Sequence, residues 1–236
     1  LIEGLRDTVR FSELLSAILA HDLRNPLATI VVGTQILQGS QLDERARAAL
    51  AHMSASETRM TRMIDQLLDL TRSRSDVGLR IARVPLDLGA LTRSIADELS
   101  LARPGSGIEL EVIGDARGEW DPDRLGQVLS NLIGNAMEHG DPGEAVRVRI
   151  DGRDVASVAV ETENAGSIGE EHLASLFDPF RRASADAYHS SGLGLGLHIT
   201  KVIVEAHGGS VSVASAEGRT TFRVQLPRSA SSPRCP

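Results

Sequence analysis

The chain has 236 residues, 41% of them apolar and 24% charged, a composition that supports an ordinary soluble core in one large domain or two smaller ones. Its net charge of −7 argues against a nucleic-acid partner, for which a basic face is expected. The single cysteine, Cys235, excludes an internal disulfide and fits a reducing, cytoplasmic compartment. No apolar run approaches the roughly 18–20 residues that span a bilayer, so we expect no membrane segment in this chain.

Two long amphipathic helices are predicted at the start of the chain. Apolar residues recur at steps of four and three across residues 5–37, and the pattern resumes across residues 42–71. The polar break at residues 38–41 predicts an antiparallel hairpin. Because a lone hairpin cannot bury both apolar stripes, we predict that it pairs with a second copy in a dimeric four-helix bundle. Packing of the hairpin against the rest of the chain is the alternative.

A mixed pattern of strands and helices follows a polar run at residues 73–78. Strands are predicted at residues 84–88, 108–113, 146–150, 155–161, 211–215 and 220–226, and helices at residues 89–101, 122–139 and 195–207. We therefore predict an α+β fold with four parts: the hairpin at 1–74, a linker at 75–84, an α/β domain at 85–228 and a disordered tail at 229–236. Since the sequence starts at Leu1 without a Met, we expect it to be a fragment of a longer protein.

A histidine in the first predicted helix has the surroundings of a nucleophile. His21 lies roughly 160° from the centre of the apolar stripe, at about 100° per residue, and should face water. Asp22 can hydrogen-bond one imidazole nitrogen, which leaves the other nitrogen free to attack. Asn25 lies one turn further on nearly the same face, where its amide can position a water molecule. Pro26 should bend the helix just beyond the reactive position. The alternative for His21 is an ordinary solvated surface histidine.

Three polar residues share one face of the predicted helix at residues 122–139. Asn131, Asn135 and His139 are spaced by four, while the apolar residues of this helix point the other way. An Asn side-chain oxygen suits Mg²⁺ when phosphate oxygens and water fill the remaining positions, and we assign Asn135 to that role. A plain polar helix face is the alternative.

Two further segments contain candidate binding residues. Asn164 provides an acceptor at the end of a predicted strand, and Gly166 allows close approach, so this pair can hold an adenine amino group. Ordinary turn chemistry is the alternative. Phe180, Arg181 and Arg182 lie in the polar stretch 176–191, which we interpret as a mobile lid whose arginines can reach phosphate.

Three glycines alternate just before the last predicted helix. Gly192, Gly194 and Gly196 have no side chains, so backbone N–H groups can converge on phosphates there, helped by the helix N-terminus. A flexible hinge is the alternative. The run is not a Walker loop, because no Gly-Lys-Ser/Thr follows it.

In this order the motifs resemble those of the sensor histidine kinases of two-component systems, over about residues 5–227. Residues 21–27 are similar to the H box, and residues 127–136 to the N box. The G1, F and G2 boxes and the closing segment are matched by residues 164–168, 177–180, 192–197 and 218–222. Leu197, in the segment that matches the G2 box, and Thr221, in the closing segment, are therefore also candidate nucleotide-binding residues.

The resemblance implies a dimerisation and histidine-phosphotransfer hairpin, followed by an ATP-binding α/β sandwich of the Bergerat type. It implies ATP and Mg²⁺ as cofactors, autophosphorylation of His21, and transfer to an aspartate on the receiver domain of a response regulator. Asn25 suggests the reverse, phosphatase reaction toward that partner. An upstream sensory domain outside this chain is also implied.

The sequence departs from the family pattern at three places, and the changed G1 box motivates an alternative function, a degenerate dimeric scaffold that binds nucleotide without kinase activity. Asn164 stands where the family usually has Asp and one glycine position is missing, so we expect weaker ATP binding than with a carboxylate. A different register would put Glu163 at the Asp position. Glu138 replaces a Lys found in many relatives, and Leu193 replaces a small polar residue.

Overall fold

A computed structural model describes residues 27–28, 30–34, 36–37, 43–73, 79–102, 107–141, 143–180 and 194–229. They form two compact units: a helical unit up to Ser73 and an α/β unit from Leu79 onward, with Gly194 and Leu195 grouped with the helical unit. Within those ranges, every helix is too short or too polar to traverse a lipid bilayer. The domain boundaries given above stay predictions.

The helical unit contains the second predicted helix almost in full. Helix α1 spans Glu44–Ser73, and Asp43 caps its start by accepting the backbone N–H of Ala46 at 2.7 Å. The described residues between 27 and 37 are helical as well. Residues 5–26, the remainder of the first predicted helix, lie outside the described residues.

The two helical stretches of this unit run antiparallel. Leu27 packs against Ile64 in a small apolar cluster. Further along, the Thr34 hydroxyl donates to Oε1 of Glu57 at 2.7 Å. From Leu27 to Thr34 the first stretch advances along the chain, while the contacts on α1 go back from Ile64 to Glu57. This is the order of contacts in an antiparallel hairpin.

The α/β unit has a five-stranded sheet in the order β2-β4-β5-β7-β6 and a separate two-stranded sheet, β1-β3. The strands are β1 (Val84–Asp87), β2 (Ile108–Gly114), β3 (Arg117–Trp120), β4 (Val146–Gly152), β5 (Ser157–Ala165), β6 (Ser210–Ala216) and β7 (Arg219–Pro227). The helices are α2 (Leu88–Ala102), α3 (Pro122–His139), α4 (Glu170–Leu173) and α5 (Gly196–Ala206). Strands β2 and β4 are parallel, and all other pairs are antiparallel.

One face of the five-stranded sheet packs against helices and forms the core. Helix α3 buries five apolar residues that the sequence pattern predicts, each at most 2% exposed: Leu125, Val128, Leu129, Leu132 and Ile133. Its start is fixed by Asp121, whose side chain accepts the backbone N–H of Arg124, and by Pro122 in the first turn. Its predicted bounds are therefore confirmed.

The opposite face of the sheet is charged, and its ion pairs cross between neighbouring strands. Arg149 of β4 pairs with Glu111 of β2 at 3.5 Å, and Arg223 of β7 pairs with Glu161 of β5. Because side chains alternate between the two faces of a strand, the sheet separates a buried inner face from this charged outer face. We use the terms inner face and outer face in this sense below.

The predicted strands omit β3. Strand β3 is only four residues long and mostly polar, so it has no clear alternating pattern. Trp120 at its end is fully buried and donates its indole N–H to the Pro227 carbonyl at 2.8 Å. Gly118 is required beside it, since a Cβ there would lie 2.3 Å from the Trp120 ring.

Strand β5 is shifted toward the C-terminus relative to its prediction. It begins at Ser157 and ends at Ala165, because pairing with β7 continues through Ala165 opposite Arg219. Asn164 therefore lies within the paired part of β5, one residue before the strand ends, rather than beyond the end of the strand.

Candidate functional site

The histidine predicted to be the nucleophile and its neighbours are outside the described residues. This applies to His21, Asp22 and Asn25, and also to Arg181, Arg182, Gly192 and Leu193. Their roles remain predictions.

The polar face of α3 is directed away from the core. Asn131 and Asn135 are half-buried, and His139 is exposed near the C-terminal end of the helix. Asn131 donates its side-chain N–H to the carbonyl of Gly196 at 3.2 Å, which links α3 to the first residue of α5. The two helices that carry the asparagines and the glycine run are therefore tied together at this point.

The C-terminal end of α3 meets the end of β5. The backbone N–H of Asp141 donates to the Ala165 carbonyl at 3.3 Å. Gly166 lies so close that a Cβ there would be 3.1 Å from the His139 carbonyl, and its φ of +128° suits glycine. A Cβ at Gly140 would likewise approach the Ala136 carbonyl to 2.6 Å. Close backbone approach thus explains both glycines.

Asn164 lies on the inner face of β5 at this junction and is only 5% exposed. Its side-chain N–H donates to the Ala165 carbonyl at 2.8 Å. If the amide were flipped, its side-chain oxygen would face the Ala165 carbonyl oxygen, and neither oxygen can donate. The hydrogen bond therefore fixes the orientation of the Asn164 amide. The side-chain oxygen keeps the acceptor role that a carboxylate would have.

Glu163, the alternative candidate for the same role, lies on the outer face. Its carboxylate pairs with Arg147 at 3.1 Å and with Arg219 at 3.2 Å. A carboxylate held by two arginines on the opposite side of the sheet cannot share a site with Asn164. This placement favours the sequence alignment in which Asn164 occupies the position of the family's Asp.

The two threonines of the closing segment lie on opposite faces of β7, and only Thr220 is at the Asn164 junction. Thr220 pairs with Asn164 in register and donates its hydroxyl to the Gly166 carbonyl at 2.9 Å. Thr221, the residue chosen from the sequence, pairs with Glu163 and contacts its carboxylate at 3.5 Å on the outer face. Because side chains alternate along a strand, the pairing of Thr220 with Asn164 decides which of the two threonines is on the inner face.

The glycine run leads into α5 through two described glycines. Gly194 has a φ of +70°, and Gly196 is the first residue of α5, followed by the half-buried Leu197. The N-terminus of this helix presents backbone N–H groups without helical partners, which favour anions.

The F-box segment combines an anchored and an exposed aromatic residue. The Phe177 ring packs edge-to-face against Phe222 of β7, with 6.4 Å between ring centroids. Phe180 is 60% exposed and has a φ of +63°, which is unfavourable for a residue with a side chain. The backbone strain at an exposed aromatic residue fits a contact site for another molecule or segment.

A buried histidine holds the far ends of α3 and α5 together. His207 is fully buried, and its Nε2 accepts the backbone N–H of Asp121 at 3.2 Å. Its Nδ1–H donates to the Ile203 carbonyl at 2.8 Å, so the ring is neutral with the proton on Nδ1. Burial, with a smaller contribution from the nearby Arg83 cation, lowers the pKa of His207.

Acidification should therefore destabilise the α/β unit. Because the folded-state pKa of His207 lies below its unfolded value of 6.5, the unfolded chain binds a proton first as the pH falls. The free energy of unfolding should decrease below pH 6.5 by at most about 1.4 kcal/mol per pH unit. Urea unfolding at several pH values between about 5 and about 8, a range that includes the unperturbed pKa of histidine, measures this slope in the wild type and in His207→Gln. The explanation is wrong if both proteins show the same slope.

Two known families match the chain, in the order of the two units. Residues 12–76 match the His Kinase A (phospho-acceptor) domain, and residues 120–230 match the histidine kinase-, DNA gyrase B- and HSP90-like ATPase family. Together they cover the H box and the N, G1, F and G2 boxes that the sequence analysis identifies.

Curated relatives include a bacteriophytochrome and a sensor histidine kinase. The chain is 40% identical to the Pseudomonas aeruginosa bacteriophytochrome over 92% of this chain and 30% of that protein. It is 32% identical to the sensor histidine kinase CusS of Escherichia coli O157:H7 over 96% of this chain and 48% of that protein. The chain thus spans less than half the length of either relative.

Solved histidine kinase structures share the fold. Full-length ShkA in complex with AMPPNP superposes with a TM-score of 0.72 at 23% identity, over 93% of this chain and 47% of that one. The ThkA catalytic domain has a TM-score of 0.55 at 26% identity, over 63% of this chain and 97% of that one. These matches confirm the predicted α+β class with a Bergerat-type unit. The chain belongs to the sensor histidine kinases of two-component systems.

Proposed function

We propose that this chain catalyses ATP-dependent autophosphorylation of His21 and passes the phosphoryl group to an aspartate of a response regulator. The observation that supports this best is the junction at the end of β5. There Asn164, Gly166 and Thr220 come together beside the C-terminal end of α3, and Asn164 and Gly166 belong to the segment that resembles the G1 box.

The described residues fit an adenine nucleotide. The oriented amide of Asn164 offers an acceptor for the exocyclic amine of adenine. Gly140 and Gly166 keep the adjoining backbone free of side chains, and the N-terminus of α5 suits phosphate groups. Thr220 supports the same junction through Gly166, and we propose it in place of Thr221 as the threonine of the site.

The described residues also fit Mg²⁺ held together with phosphate oxygens. Asn135 is half-buried on the same face of α3 as Asn131, and its amide oxygen is a suitable ligand. Bound Mg²⁺ neutralises negative charge on the phosphates. Within the described residues, no group of three or more His, Cys, Asp or Glu side chains forms a metal cluster.

In the proposed reaction, one imidazole nitrogen of His21 attacks the γ-phosphorus of ATP. A bond forms between this nitrogen and phosphorus as the bond from phosphorus to the bridging oxygen breaks, and ADP leaves with that electron pair. Asp22 holds the other nitrogen and accepts or shares its proton. Arg181 and Arg182 are proposed to contact phosphate, and Asn25 to orient the water molecule of the phosphatase reaction.

The helical unit is proposed to form a homodimer. Ile36, Met53 and Met60 are 67%, 46% and 41% exposed in a single chain, which leaves part of the apolar surface uncovered. A second copy in a four-helix bundle would bury it. A cytoplasmic location is also proposed, on the basis of the single cysteine and the reducing compartment that it fits.

A transfer experiment tests the proposed function. ThkA is known in complex with the response regulator TrrA, and the matching region covers 94% of this chain. We expect label from γ-labelled ATP to appear on this chain in the presence of Mg²⁺ and to move to a receiver domain added afterwards. A receiver whose acceptor Asp is replaced by Ala should remain unlabelled. Nucleotide binding without any labelling would instead support the scaffold alternative.

A further inference from the structure

His198 connects the first turn of α5 to the F-box segment. The ring is half-buried, and its Nδ1 lies 3.1 Å from the Phe177 carbonyl oxygen. A carbonyl oxygen only accepts, so Nδ1–H is the donor in this contact. The bond spans 21 positions of sequence and joins two motifs of the proposed nucleotide site.

The Phe177 end of this contact is held in place by its own packing. The Phe177 ring rests edge-to-face on Phe222, and the preceding Leu176 is 8% exposed. The carbonyl is therefore a fixed point on the sheet side of the unit. The hydrogen bond restrains α5 relative to that point.

The first turn of α5 is held from a second direction by α3. Asn131 donates to the carbonyl of Gly196, two residues before His198. Two hydrogen bonds from different elements thus fix the turn that contains Gly196, Leu197 and His198. The orientation of this turn determines where the backbone N–H groups at the helix N-terminus point.

We propose that His198 is a positioning residue for the phosphate end of the nucleotide. Its hydrogen bond to Phe177 orients the first turn of α5, so that the backbone N–H groups there are prearranged for phosphate oxygens. This inference rests on the proposed function, since it assumes that α5 receives the phosphates. His198 acts through the backbone and makes no contact with the reacting atoms.

Calorimetric binding of ADP and of adenosine to the full 236-residue chain tests the proposal. His198→Ala should weaken ADP binding about five- to tenfold, the effect of one lost hydrogen bond, and should leave adenosine affinity unchanged. His198→Asn should restore ADP binding, because its amide N–H can replace Nδ1–H.

The matched control is His172→Ala, which makes the same substitution at an exposed histidine on α4 and should change neither affinity. The proposal is wrong if His198→Ala binds ADP like the wild type, or if it weakens ADP and adenosine equally. It is also wrong if His198→Asn fails to restore binding while its melting temperature matches the wild type. A wild-type chain that binds neither compound would overturn the proposed function as well.

Discussion

The His21→Gln chain is expected to incorporate no phosphate from γ-labelled ATP, whereas the wild type becomes labelled. Gln has similar polarity but no nucleophilic ring nitrogen, so the acceptor is lost while the α/β unit is left unchanged. Label on the protein after a denaturing gel is the measurement, and ADP affinity should be the same in both chains.

His52→Gln is the matched control for this substitution. His52 is exposed on α1, and the same change there should preserve labelling. Retained labelling of His21→Gln would identify another acceptor and contradict the assignment.

The Asn164→Leu chain should bind ADP about ten- to a hundredfold more weakly than the wild type. Leu fills a similar volume but removes the acceptor, and a buried polar group of the nucleotide would then have no partner. Titration calorimetry measures the affinity, and thermal unfolding checks that the loss of the hydrogen bond to Ala165 leaves the unit folded.

Glu163→Gln provides the contrast, because the two residues are adjacent but face opposite sides of the sheet. Its carboxylate pairs with Arg147 and Arg219 on the outer face, and exposed pairs contribute only about 0–1 kcal/mol to stability. We expect less than a twofold change in ADP affinity, well under 1 kcal/mol. Loss of binding in Glu163→Gln with normal binding in Asn164→Leu would show that Glu163, and not Asn164, occupies the position of the family's Asp.

Local sequence signals were sufficient for helix α3 and for the family. Asp121 and Pro122 mark the start of α3, and the apolar spacing across its length fixes the buried side. The motifs in their order identified the family, which the matches of residues 12–76 and 120–230 confirm.

Features that depend on distant partners could not be predicted in the same way. Strand β3 is short and polar, and it is defined by pairing with β1 rather than by its own pattern. Arg228 donates to the backbone carbonyls of Asp115, Gly152 and Asp154, contacts that no local sequence pattern encodes. Choosing between Thr220 and Thr221 likewise required the register of β7 against β5.

The chemistry of the labelled protein decides whether His21 carries the phosphoryl group. The chain is incubated with Mg²⁺ and γ-labelled ATP, and the label is then exposed to acid or to base and located by mass spectrometry of peptides. We predict a label that is lost in acid, survives base and lies on the peptide containing His21. An acid-stable label, or a phosphorylated peptide without His21, would contradict this account.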